Sequence, residues 1–250
     1  MPLPRDPDTR LGGSGRAFPV TRHSAIAAAK SSDPKERTAG HEALIRAYWK
    51  PCYAYARMRW RMSNEDAKEL AQEFFTQAFA EELFARYDPS RGRFQSFLRG
   101  CLELHGRKQR EREGRLVRGE GTRAVEIETA GELSDAASEE ERESVFQREW
   151  RRHVLELGVE ALRAQCAAEG KTNAFTLLER YDLHDPTRGP RPSYAELARE
   201  LSLPETTVTN QLHWARGALR ELVRLELERA ASSEDEWRAD ARSLFGDGGA

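Results

Sequence analysis

The segment between Thr206 and Arg216 carries hydroxyl, amide, imidazole and indole side chains that could read the edges of DNA bases. Amides and hydroxyls present donors and acceptors that match base edges in the major groove, which is wide enough to admit a helix. Apolar residues recur at helical spacing through the same segment and would be buried, which leaves the polar residues facing outward or flanking. The apolar set is Val208, Leu212, Ala215 and Leu219. The candidate base-reading set is Thr206, Thr207, Thr209, Asn210, Gln211, His213, Trp214 and Arg216.

This segment is predicted to be the second helix of a helix-turn-helix. Ser193 and Glu196 have the spacing of a capping box, which would begin a short first helix. Pro204 would end that helix, because proline is tolerated only near the start of a new one. Ser202 and Glu205 repeat the capping pattern before the second helix. An ordinary helical hairpin with a polar face is the alternative interpretation.

A second candidate surface is an acidic stripe on a helix predicted to run from Ser63 to about Phe84. Apolar residues at helical spacing would face the core, and carboxyl and amide side chains occupy the other side. Glu69 and Glu73 stand four residues apart, so their like charges are neighbours and slightly destabilise the helix. Such a face is usually only solvated. The alternative hypothesis is that it binds a partner that supplies arginine or lysine. The stripe consists of Asp66, Glu69, Gln72 and Glu73.

The next helix combines aromatic rings with a block of basic residues. Tyr87–Gly92, with Asp-Pro-Ser-Arg-Gly after the tyrosine, predicts a turn, and a helix is predicted from Phe94 to about Glu113. Rings can stack on unstacked bases while cations bind the phosphates of a single strand. Alternatively, Phe94 and Phe97 are core residues, which is the commoner fate of phenylalanine, and the arginines form a solvated face. The basic residues are Arg91, Arg93, Arg99, Arg107, Lys108, Arg110 and Arg112.

The composition argues against several classes of function. No apolar run or signal-peptide core indicates a membrane span, so we expect a cytoplasmic protein without membrane insertion. The widely spaced Cys52, Cys101 and Cys166 predict small buried thiols rather than disulfides or metal ligands. The six histidines form no nucleophile or metal pattern, and no glycine-rich loop would hold a phosphate. We therefore expect no enzyme activity, no cofactor and no metal.

The chain is expected to be all-α, with two small helical domains joined by a flexible acidic linker. Helical periodicity dominates, and no convincing strand alternation occurs in the sequence. Seven basic and three acidic residues lie between Arg99 and Arg118, whereas ten acidic and three basic residues lie between Glu120 and Glu149, which suggests a contact surface followed by a solvated linker. The expected divisions are a disordered arm over residues 1–17, a first domain over 18–113, the linker over 114–143, a second domain over 144–230 and a tail over 231–250.

Three segments resemble parts of bacterial RNA polymerase sigma factors of the sigma-70 family. The run Asp66-Ala-Lys-Glu-Leu-Ala-Gln-Glu-Phe-Phe75 resembles the D-A-x-E-L-x-Q-E-x-F helix of their second conserved region. The run YDPSRGRFQSFLRG from Tyr87 looks like their loop and helix that melt and read the minus-ten promoter element. Residues 193–220 look like the fourth conserved region, which binds the minus-thirty-five element. With a short linker in place of an intermediate domain, the layout is similar to the extracytoplasmic-function group, over about residues 40–112 and 145–227.

The resemblance implies a non-enzymatic subunit that directs core RNA polymerase to a subset of promoters. The acidic stripe together with Leu70 would dock on the clamp helices of the largest polymerase subunit. The loop Tyr87–Arg93 would capture a flipped base of the non-template strand, and the aromatic-basic helix after it would hold that strand open. The base-reading helix would enter the major groove, and its domain would also contact the polymerase flap. An anti-sigma factor is a partner that many members have, although no residue of this chain indicates one.

Two features depart from the family pattern. Glu103 and Leu104 stand where family members often carry Arg-Asn in the melting helix. The base-reading helix has one glutamate and one arginine between Glu205 and Arg216, where family members are usually basic, so its electrostatic attraction for DNA should be small. Tethering in a polymerase complex could compensate, because linked modules need little affinity each. The alternative function is a stand-alone helix-turn-helix regulator with an N-terminal sensing or dimerisation domain, which would bind spaced half-sites as a dimer.

Overall fold

A computed structural model describes residues 25–120 and 138–246 of the chain. Within these ranges the backbone forms helices and connecting loops without any strand, which confirms the all-α prediction. No helix in these ranges is long and apolar enough to cross a membrane. The predicted arm over 1–17 and most of the predicted linker lie outside the described residues. The α-helices are α1 (Ala25–Ala29), α2 (Pro34–Trp60), α3 (Asn64–Ala80), α4 (Phe94–Glu120), α5 (Glu139–Ala168), α6 (Thr172–Tyr181), α7 (Tyr194–Glu200), α8 (Glu205–Ala230) and α9 (Glu234–Phe245).

The chain divides into two compact units, and their boundaries differ from those of the predicted domains. The first unit contains the described residues up to His153 together with those from Glu228 onward, and the second unit is Val154–Leu227. The first unit therefore includes the beginning of α5 and all of α9, which the sequence assigns to the linker, the second domain and the tail. Burial explains the difference for α5, because Phe146 and Trp150 are at most 1% exposed.

Local capping signals set the beginnings of the helices. Ser63 accepts a hydrogen bond from the backbone N–H of Asp66, which confirms the predicted start of α3. Helix α2 begins at Pro34, because the Asp33 side chain caps it from outside and the proline occupies its first turn. Helix α3 ends at Ala80 rather than near Phe84, since Glu82 adopts a left-handed conformation with a φ of 50°.

The core of the first unit is aromatic. Tyr48 and Phe94 meet edge-to-face with ring centroids 5.3 Å apart, and Tyr87 meets Phe94 in the same way at 5.1 Å. Helix α1 packs closely on α2 at Gly40, where a β-carbon would lie 2.3 Å from the backbone nitrogen of Ala29. The largest fully buried side chains of this unit are Trp150, Tyr48, Tyr55, Phe74, Phe94, Phe146, Leu44, Leu70, Leu98 and Leu102.

The second unit is built around the predicted helix-turn-helix, formed by α7 and α8. Its apolar residues bury as the periodicity predicts: Val208, Leu212 and Ala215 have no exposed surface, and Leu219 packs against the core while partly exposed. One cluster joins α7 and α8 to α6 through Leu177, Leu197, Ala198, Val208 and Leu212. A second cluster joins α5, α6 and α8 through Leu162, Cys166, Ala174, Phe175, Leu178 and Ala215.

The turn between α7 and α8 is made differently from the prediction. The capping box of Ser193 and Glu196 is present in full at the start of α7. The second predicted box is wrong, because Ser202 has a φ of 53° and ends α7 instead of capping α8. The N–H of Leu203 donates to the carbonyl of Ala198 at 2.8 Å, which is the closure that follows a left-handed residue at a helix end.

Candidate functional site

Helix α3 presents the acidic stripe to solvent. Asp66, Glu69, Gln72 and Glu73 are all exposed, and they lie on one side of the helix. Leu70 is completely buried, so its inclusion among the contacting residues is corrected. Its spacing matches the core side of α3, which it shares with Phe74. We call the four exposed residues the acidic face.

The carboxylates of the acidic face are poorly neutralised within the described chain. The hydroxyl of Ser63 donates to Asp66 at 2.8 Å. Among the described residues, no hydrogen bond or ion pair reaches Glu69 or Glu73. Burial lowers the pKa of His105, and the charge of Glu73 partly opposes that shift, so a charged imidazole does not compensate the face at neutral pH. Two adjacent uncompensated carboxylates suit a partner that supplies basic side chains.

The loop Tyr87–Arg93 is held by its own hydrogen bonds. Asp88 accepts from the backbone N–H and the hydroxyl of Ser90, at 2.9 and 2.8 Å, which confirms the predicted turn. Gly92 follows with a φ of 134°, a conformation that other residues rarely adopt. The Tyr87 hydroxyl donates to the Gly92 carbonyl at 2.9 Å. The tyrosine ring is buried and Arg93 is only partly exposed, so the exposed cation that this loop offers to a ligand is Arg91.

The aromatic residues at the start of α4 are largely core residues, as the alternative interpretation had it. Phe94 has no exposed surface, which removes it from the candidate DNA-binding set. Phe97 is half-buried, and its ring lies 5.5 Å from that of Tyr87 and 6.1 Å from that of Phe94. Phe97 is therefore the one ring among these three with surface left for a base.

Arg99 is also removed from the candidate DNA-binding set, because it is buried inside the first unit and only 4% exposed. Its Nη1 donates to Glu103 at 2.8 Å, its Nε donates to Glu143 at 2.9 Å, and its Nη2 donates to Glu139. Burial disfavours its charge, but the hydrogen bonds to Glu143 and Glu139 outweigh that effect and raise its pKa. The charge cluster, as we name it, consists of Arg99, Glu103, Glu139, Arg142 and Glu143.

The exposed basic residues of α4 lie beyond the charge cluster. Arg107, Lys108, Arg110 and Arg112 are all exposed, and Arg107 also reaches Glu103 at 3.4 Å. Leu104 is 56% exposed and lies one turn before Lys108. These residues combine apolar and cationic surface, which suits a nucleic-acid strand. The combination lies nearer the C-terminal end of α4 than the sequence predicts.

Helix α8 exposes some of the candidate base-reading residues and partly buries the others. Thr206, Thr209, Asn210 and His213 are exposed, whereas Thr207, Gln211 and Trp214 are half-buried. The hydroxyl of Thr209 donates to the carbonyl of Glu205 at 3.1 Å, so toward solvent it can act only as an acceptor.

Arg216 is positioned by the protein and is not a freely available DNA contact. Its Nε and Nη2 donate to the carboxylate of Asp182 at 2.8 and 2.9 Å. This paired hydrogen bond to Asp182 raises the pKa of the guanidinium. The arginine therefore fixes the end of α6 against α8, and Asp182 neutralises its charge.

A shallow depression beside the base-reading residues includes side chains that the sequence did not single out. Lys171 and Asn173 line it together with Asn210, Gln211 and Trp214. The ammonium of Lys171 lies 4.1 Å from the centre of the Trp214 ring, which is a cation–π contact. The sequence gives little indication that Lys171 belongs to this surface, since it falls in the short turn before α6.

Over the described residues, the geometry defines an arrangement of helices with a helix-turn-helix in one unit and an exposed acidic helix face in the other. Comparison with models of protein families, with curated proteins and with solved structures gives no match for this chain.

Proposed function

We propose that this chain is a transcription initiation factor of the sigma type, a non-enzymatic subunit that binds core RNA polymerase and directs it to a subset of promoters. The observation that carries the proposal is the acidic face, where Glu69 and Glu73 are exposed and adjacent. A surface of this kind would dock on basic residues of the polymerase clamp helices. It would leave the base-reading residues of α8 available to DNA.

The second unit would read the minus-thirty-five element in the major groove. Asn210 is exposed on α8 and carries an amide that can bind adenine through two hydrogen bonds. Lys171 stands at the edge of the same surface, where a phosphate would pass. Because the helix carries little net charge, we expect this contact to need the tether that a polymerase complex supplies.

The first unit would hold the minus-ten region with fewer residues than the sequence suggests. Arg91, Phe97 and Lys108 have exposed surface. Arg107, Arg110 and Arg112 extend this surface along α4. These residues would bind a separated strand through stacking and phosphate contacts.

Retention on immobilised core polymerase tests the proposal. The full chain should be retained, and Glu69→Arg/Glu73→Arg should reduce retention at least about tenfold, because like charges would then face the basic partner. Glu42→Arg/Glu140→Arg is the matched control, since it makes the same charge change at exposed positions outside the acidic face. A wild-type chain that never binds core polymerase contradicts the proposal.

One observation favours the alternative, a stand-alone helix-turn-helix regulator. Arg93 and Arg99 are engaged inside the first unit, so two of the cations expected to hold a single strand are occupied. A regulator of this type would bind a specific duplex without polymerase, as a dimer at spaced half-sites. A gel shift with the purified chain alone separates the two functions.

A further inference from the structure

Helix α9 is packed on the loop Tyr87–Arg93, within the first unit. The hydroxyls of Tyr87 and Ser232 are hydrogen-bonded at 2.8 Å. The guanidinium of Arg93 is hydrogen-bonded to the carboxylate of Asp240, and Gln95 donates to the same carboxylate at 3.1 Å. Both ends of the loop are thus hydrogen-bonded to the C-terminal segment, by which we mean residues 232–245.

Two carboxylates of α9 are buried at this contact. Glu236 is 6% exposed and Asp240 is 4% exposed. Arg93 serves both, since its Nε also lies 3.8 Å from Glu236. A buried carboxylate costs free energy unless it is paired, so this side of α9 matches the cation that faces it. Burial raises the pKa of Asp240, and the charge of Arg93 opposes the shift, as expected for a carboxylate set against an arginine.

The C-terminal segment is built to present these acids. Ser233 caps α9, and Glu234, Asp235 and Glu236 occupy its first turn, where carboxylates stabilise a helix. Glu236 also accepts from the backbone N–H of Ser232, so its position is fixed from two sides. The segment therefore places two buried carboxylates, those of Glu236 and Asp240, against Arg93.

We propose that α9 is a displaceable acidic cover, which occupies Arg93 in place of the phosphates of single-stranded DNA and leaves before that loop binds DNA. The inference rests on the proposed function, because it takes the loop as part of a strand-binding surface. A carboxylate and a phosphate accept the same kind of hydrogen bond from a guanidinium, so a phosphate that takes the Nη2 donor of Arg93 must displace Asp240. DNA binding by the loop then depends on the fraction of molecules with α9 released.

Binding of a fluorescein-labelled, mixed-sequence single strand of twelve nucleotides to the full chain tests the cover. Glu236→Gln/Asp240→Asn should bind it about tenfold more tightly than wild type, the gain expected if α9 is seated in nine molecules of ten. The matched control is Glu234→Gln/Asp235→Asn, which makes the same charge change at exposed positions of α9. Its affinity should change less than about twofold, because it frees no loop residue. Equal affinities for both variants would overturn the cover.

A second measurement needs no substitution. Hydrogen exchange of the α9 amides in the wild-type chain should accelerate when the single strand is added at saturating concentration. Unchanged or slower exchange, while the strand is bound, would also overturn the cover. Retention on core polymerase is measured separately. If the chain is retained but α9 is not displaced, the cover is refuted and the proposed function stands. If α9 is displaced by the strand but the chain is never retained, the proposed function is refuted and the cover stands.

Discussion

Arg99 on α4 and Glu143 on α5 are joined by a hydrogen bond of 2.9 Å between Nε and Oε2. The contact ties two helices of the first unit that are separated along the chain by residues 121–138. It also converts an arginine expected to bind DNA into part of the interior. The stability of the first unit should therefore depend on this side chain.

Replacing Arg99 by alanine should destabilise the protein by about 3 kcal/mol, because the carboxylates of Glu103 and Glu143 lose the cation that compensates their burial. Urea unfolding followed by circular dichroism measures the loss. The exposed Arg110→Ala is the control and should change the free energy of unfolding by less than about 0.5 kcal/mol. Equal effects of the two substitutions would contradict the buried role of Arg99.

The charge cluster should make stability depend on pH. Hydrogen bonds from Arg142 and Arg99 lower the pKa of Glu139. For Glu143, burial alone would raise the pKa, but hydrogen bonds from Gln147, Arg99 and Ser96 outweigh it and lower the pKa. Because the folded pKa values lie below the ordinary value of 4.5, the unfolded chain takes up protons first as the pH falls. Their stabilisation is present above pH 4.5 and is lost below it.

The measurement compares wild type with Glu139→Gln/Glu143→Gln in urea unfolding at several pH values. Wild type should be the more stable at pH 7, and the difference should shrink as the pH falls below 4.5. A difference that stays constant between pH 7 and 3 would show that these carboxylates are not stabilised by the cluster.

Gly40→Ala should destabilise the first unit by about 1–3 kcal/mol, since the added β-carbon would meet the backbone of α1 and the helices would have to separate. The same substitution at Gly100 meets no atom within 4 Å and should stabilise α4 by about 0.5–1 kcal/mol, as alanine is the better helix former. Thermal melts of the two variants give opposite shifts of Tm if the close packing of α1 on α2 is correct.

Asn210→Ala and Lys171→Ala should affect DNA binding in different ways. Loss of the amide should relax base preference at one position and cost about 1–3 kcal/mol on the preferred sequence. Loss of the ammonium should weaken binding to all sequences and reduce the salt dependence of log Kd by about one. Binding titrations of the polymerase complex at several salt concentrations distinguish them. Identical salt slopes for wild type and Lys171→Ala would exclude a phosphate contact.

Local signals made the helix-turn-helix predictable. The capping box of Ser193 and the apolar spacing of α8 act within a few residues, and both appear in the structure. The turn itself was not predictable in detail, since Ser202 adopts a left-handed conformation that serine seldom takes.

The fate of the basic residues could not be predicted, because their partners are distant in the sequence. Asp240 lies 147 positions after Arg93, and Glu143 lies 44 positions after Arg99. A block of arginines looks the same in sequence whether its members face solvent or buried carboxylates. The packing of α5 and α9 in the first unit decides which arginines are buried. The spacing of residues in α4 does not predict that packing.

Run-off transcription by core RNA polymerase on a library of genomic promoter fragments tests whether this chain directs initiation. With the full chain added, specific transcripts should appear from a subset of fragments. They should be lost with Glu69→Arg/Glu73→Arg but not with Glu42→Arg/Glu140→Arg. Transcript patterns identical with and without the wild-type chain would contradict the assignment as an initiation factor.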